Sequence, residues 1–129
     1  MSSNFTLSFT GDCIEVAVAP DYEITRDSQR LLWGAVAQAC KQHRCIKVLS
    51  IGKAPKRRMS TVDAFNSGCQ AAQIAPGIML AIYFRGYIPD ETTALFKNTA
   101  YNRGARVEFF SDIDAARAWL AGDATSAPG

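Results

Sequence analysis

The chain has 129 residues, 48% of them hydrophobic and 20% charged, with a formal net charge of +2. That composition suits one globular domain around one core rather than a disordered chain. So small a net charge does not by itself imply nucleic acid, so any electrostatic recognition has to be local.

The first segment alternates: Phe5, Leu7 and Phe9 share one face and Thr6, Ser8 and Thr10 the other. Ile14, Val16 and Val18 repeat the pattern after Gly11-Asp12. A Gly-Asp pair between two alternating runs predicts a β-hairpin, because glycine accepts the positive φ of a tight hairpin turn. Pro20 ends the second strand. A helix follows from about Asp27 or Ser28 to His43, with Leu32, Trp33, Val36, Ala39 and Cys40 on one stripe. At that spacing Trp33 is a core residue rather than a binding platform.

"CIKVLSIG" (45–52) reads as the third strand. A helix is expected over 60–73, with Val62, Phe65, Cys69 and Ala72 as its apolar face, stopped by Pro76-Gly77. "IMLAIYF" (78–84) is apolar without alternation, as a strand buried on both faces of a parallel sheet is. Asp90 is placed to cap a helix running to about Arg103, closed by Gly104. "RVEFF" (106–110) is the last strand. "SDIDAARAWL" is a short helix with Ile113, Ala116, Trp119 and Leu120 inward and Asp112 and Asp114 at its start.

After the hairpin, helices and strands alternate, which implies parallel strands joined by right-handed crossovers. The expected fold is α/β: a five-stranded mixed sheet in the order β-β-α-β-α-β-α-β-α, covered by four helices. Residues 1–121 form one domain, and the small, polar stretch 122–129 is expected to be a disordered tail. The first twelve residues, "MSSNFTLSFTGD", lack the basic region and apolar core of a signal peptide, and the longest apolar run is too short to cross a bilayer. A cytoplasmic protein with no transmembrane segment is the expectation.

The chain has four cysteines, Cys13, Cys40, Cys45 and Cys69, and no C-x-x-C pair, so no disulfide framework is expected. Cys40, His43 and Cys45 match no common zinc spacing, and His43 is the single histidine. Cys40 and Cys69 read instead as small buried hydrophobes, with His43 near a helix C-terminus. No metal and no cofactor are expected. A P-loop, a G-x-S-x-G elbow and a Cys–His catalytic motif are all missing from the sequence, so nothing argues for an enzyme.

One stretch does concentrate chemistry. "KAPKRRMSTVD" (53–63) places Lys53, Lys56, Arg57 and Arg58 within six positions, ahead of Ser60 and Thr61. Ligands of open α/β sheets gather at the carboxyl ends of strands, often at a topological switch point, and this segment leaves such an end. Arg85 leaves the neighbouring strand and could join the cluster, with Tyr87 nearby. A helix start also attracts anions through its unpaired N–H groups and dipole. The plainer reading makes Ser60 an N-cap, with Asp63 as its reciprocal partner and the cations solvated.

"KVLSIG…MSTVDAF" and "YNRGARVEFFSDIDAARAWL", together with the element order, resemble the STAS superfamily over roughly 12–122. The likeness is to its bacterial anti-sigma-factor-antagonist-like members. That resemblance implies a regulatory, non-enzymatic domain whose second helix begins at a phosphorylatable hydroxyl, here Ser60 with Thr61 beside it. Met59 stands where the family's pattern has an aspartate.

Two readings of the basic segment follow. In the first, the loop 53–59 and the following helix start form the partner surface of a STAS-type interaction module, the partner being a regulatory protein. In the second, Lys53, Lys56, Arg57, Arg58 and Arg85 hold a small anion or a lipid headgroup. Nucleic acid is the least favoured partner, since no aromatic residue lies within the cluster. An edge strand or an uncovered helix face could also support a homodimer.

Overall fold

The computed structural model describes residues 5–19, 26–53, 60–75, 77–85 and 90–122. Its elements are β1 (Phe5–Phe9), β2 (Ile14–Val18), α1 (Arg26–His43), β3 (Lys47–Lys53), α2 (Thr61–Ala72), β4 (Met79–Arg85), α3 (Glu91–Asn102), β5 (Arg106–Phe110) and α4 (Ile113–Gly122). The fold is α/β, with the five-stranded mixed sheet, the four helices and the element order expected. Gly122 is the last residue of α4 rather than the first of a tail, and 123–129 lie outside the described residues.

The hairpin forms where the alternation predicts. Phe5, Leu7 and Phe9 pair antiparallel with Val18, Val16 and Ile14. Gly11 closes the turn at φ 97°, a value that side chains resist and glycine accepts. Thr10 locks the turn: its Oγ1 donates to the Cys13 carbonyl at 3.1 Å, and its N–H donates to the same oxygen at 3.0 Å. Phe9 is 40% exposed yet has a partner, stacked on His43 at 4.2 Å.

The strands lie in the order β1-β2-β3-β4-β5, with only the β1–β2 pair antiparallel. Each crossover therefore steps to the next strand on the same side. With a constant hand, three successive crossovers put their helices on one face of the sheet. The core shows this. Leu32, Trp33, Val36 and Cys40 of α1, Ala64 and Ala71 of α2, and Phe96 and Ala100 of α3 pack with Ile14, Val16, Val48, Leu80, Ile82 and Val107. The other face packs Leu49, Met79 and Ala81 against Ala116 and Leu120 of α4. Glu15 lies on that second face and ties β2 to α4, its Oε2 accepting from Arg117 Nη1 at 2.6 Å.

The apolar stripe of α1 is where the sequence puts it, with Trp33 in the core. α2 is a correction. Val62 is 67% exposed and Phe65 44%, and Cys69 is only partly buried. The buried side is instead Ala64, Ser67, Gly68 and Ala71. Size explains the reversal: α2 packs on α3 so closely that a Cβ on Gly68 would lie 2.7 Å from the Phe96 carbonyl oxygen and 2.7 Å from Thr99 Cβ. Only small residues fit there, so the large apolar ones turn outward.

α3 starts as expected. Asp90 Oδ1 accepts from the N–H groups of Thr92 at 2.9 Å and Thr93 at 3.0 Å, while the Asp90 N–H donates to Thr93 Oγ1 at 3.2 Å. This reciprocal box satisfies donors that the helix leaves unpaired. Asp90→Ala is expected to cost about 1–2 kcal/mol of stability, read from urea unfolding midpoints, whereas Asp90→Asn should cost less. Equal midpoints for all three proteins would show that the box contributes nothing.

Candidate functional site

The carboxyl ends of β3 and β4 lie side by side. Lys53 and Arg85 are register partners at the last rung of that pair, so two of the five candidate cations arrive at one level of the sheet. Arg85 is exposed. Lys56, Arg57, Arg58, Met59 and Tyr87 lie outside the described residues. The strand order runs without reversal, so this sheet has no topological switch point at its carboxyl edge. The crevice that opens there when helices diverge to opposite faces does not arise, because α1, α2 and α3 share a face.

Ser60 precedes the first helical residue of α2, and its carbonyl accepts the Ala64 N–H at 2.9 Å, which places it at the N-cap position. Ser60 and Thr61 are both exposed. Val62, next in the chain, and Phe65, one turn beyond Thr61, extend the same solvent-facing surface along α2. The Arg103 guanidinium sits over the Phe65 ring, 5.4 Å from its centroid, joining the end of α3 to this surface. Hydroxyls, two large apolar side chains and a cation thus form one strip across α2 and the α3 terminus.

Sequence reasoning found the hydroxyls and missed Val62 and Phe65, which it placed inside. The signal that could have found them is the run Ala64, Ser67, Gly68, Ala71 at helical spacing, which marks a close helix contact.

Asp112 caps the start of α4, its Oδ2 accepting from the Ala115 N–H at 3.1 Å. Among the described residues no group of three or more His, Cys, Asp or Glu could hold a metal ion. Among them, too, no helix is long and apolar enough to cross a membrane.

At the opposite, amino end of the parallel strands is an open cavity of about 690 Å³. It lies between the β1–β2 turn, the α1–β3 junction and the end of α4, and is lined in part by Cys13, Arg44, Cys45, Lys47 and Arg117. The sequence reading did not single it out, because its residues come from three separate segments.

No protein-family model, curated protein or solved structure matches the chain.

Proposed function

We propose that the protein is a non-enzymatic regulatory module that binds another protein through the start and outer face of α2. The observation that carries this reading is the exposure of Val62 and Phe65 directly after Ser60 and Thr61. Full burial of a fully exposed side chain of this kind is worth about 1.5–3 kcal/mol, and Val62 and Phe65, 67% and 44% exposed, retain a share of it to gain against a partner. The basic segment 53–59 adjoins this surface in the chain and supplies charge that would favour an acidic partner surface. The sequence's resemblance to STAS domains supports the same reading, with Ser60 in the place of the family's phosphorylatable hydroxyl. A phosphate there would add about −1.5 to −2 charges at a helix N-terminus, where the dipole favours them.

The small-anion alternative draws support from one feature, the Lys53–Arg85 register pair.

A photo-crosslinking amino acid placed at position 62 tests the proposal, with position 118 on α4 as control. The expected result is one saturable cross-linked protein from position 62, absent from position 118 and lost in Phe65→Asp and Ser60→Glu backgrounds. Identical cross-linking patterns from both positions would overturn the interaction surface. Tight phosphate binding lost in Arg85→Ala, with no protein cross-link, would favour the alternative.

A further inference from the structure

The cavity at the amino end of the sheet is built differently from the α2 surface. Three cations line it: Arg44 from the end of α1, Lys47 from the start of β3 and Arg117 from α4. Asp12 is the one carboxylate residue in the lining. Arg117 is held by Glu15 at 2.6 Å, whereas Arg44 and Lys47 have no ion pair among the described residues. A cavity of about 690 Å³ falls within the range that small-molecule sites occupy.

The backbone places Arg44 with some strain. Its φ is 53°, the one positive φ on a non-glycine residue among those described. It follows the last residue of α1, where glycine is usually favoured, and the Cys45 N–H closes the cap on the Cys40 carbonyl at 3.0 Å. A side chain in this conformation costs about 1 kcal/mol relative to glycine. The arginine that occupies it lines the cavity.

Cys45 is in the same wall. Its S–H faces the carbonyl oxygens of Asp12 and of Lys47, each 3.5 Å from Sγ, contacts that hold the protonated thiol and are given up when it reacts, and the residue is partly exposed. The other two thiols nearby are less available. Burial raises the pKa of Cys13 and pushes that of Cys40 up to about 11, and both residues are buried. Cys69 lies on α2, away from this cavity. Reactive thiols are found in electropositive, partly open surroundings, and of the four only Cys45 combines a cationic cavity with exposure.

We infer that this cavity is a thiol-modification site, at which Cys45 takes up a small acidic thiol from its disulfide, with Arg44 and Lys47 recognising the carboxylates. The Cys45 thiol loses its proton to solvent. Its sulfur attacks one sulfur of the acidic disulfide, the S–S bond breaks, and one acidic thiolate leaves with the electron pair. The disulfide is itself the oxidant, so the exchange balances with no further redox partner.

The test uses the reduced full-length chain, oxidised glutathione as the acidic disulfide and cystamine as a cationic one. Adducts are counted by intact mass and located by peptide mapping, at low and high salt. The expected result is a single glutathione adduct on Cys45, formed about five-fold or more faster than the cystamine adduct at low salt, the two rates converging at high salt as charge is screened. Arg44→Ala with Lys47→Ala should remove the preference while leaving Cys45 reactive, and Cys45→Ser should remove the adduct. The wild-type salt dependence keeps the test decisive even where a variant folds poorly. Adducts on Cys69, no adduct, equal or faster reaction with cystamine at low salt, or a Cys40–Cys45 disulfide in place of the adduct would each overturn the inference.

Discussion

Gly68→Val is expected to lower the unfolding free energy by about 3 kcal/mol, and Gly68→Ala by about 1–2 kcal/mol, as judged by overpacking in other cores. The contact responsible is backbone as well as side chain. A new Cβ would meet the Phe96 carbonyl oxygen and Thr99 Cβ, each at 2.7 Å. Neither the carbonyl nor the branched Cβ can swing aside as a flexible side-chain tip would, so the two helices have to separate. The gain in helix propensity from glycine to alanine, about 1 kcal/mol, offsets only part of that cost. Gly34 supplies the control. It lies in α1 with nothing within 4 Å of a built Cβ, so Gly34→Ala should stabilise by about 0.5–1 kcal/mol. Urea unfolding of both alanine variants checks the pair. Stabilisation by both would mean that α2 and α3 are not in close contact.

The second large effect is expected at Phe96. This residue is 2% exposed, and its ring meets Phe109 edge to face at 5.4 Å between centroids. It joins α3 to β5 beneath the α2 contact. Phe96→Ala removes that burial and leaves a void between helix and sheet, at a cost of about 3–5 kcal/mol. Phe96→Leu retains much of the apolar area, forfeits the edge-to-face geometry and should cost less. Denaturant midpoints with unchanged slopes would report the difference. Because a Cβ at position 68 would meet the Phe96 carbonyl, the double variant Gly68→Ala, Phe96→Ala should depart from additivity: with the ring gone, α3 can shift and accept the extra methyl. Strict additivity would place the strain elsewhere.

The α2 surface and the amino-end cavity differ in how far the sequence reveals them. Ser60 was legible because a hydroxyl before an apolar helical run is a local signal of a helix start. Val62 and Phe65 were misplaced because periodicity reports which residues share a face but not which face is inward. Val62, Phe65 and Cys69 do share a side of α2, and the rule that the larger apolar stripe faces the core fails when a neighbouring helix approaches to glycine distance. The cavity was invisible for another reason. Arg117 is far along the chain from Arg44 and Lys47, and only the return of α4 to the amino end of the sheet brings it beside the α1–β3 junction.

Element order, strand direction and most of the core were written in the chain, because alternation, helical periodicity and capping act over a few residues. The boundaries of β5 and the Asp90 cap followed from such local terms alone. The third dimension settled the order of the strands, the crowding of three helices on one face and the outward turn of Val62 and Phe65. Those outcomes depend on how closely backbones approach and on which distant segments meet, and neither quantity has a signature within a short window of sequence.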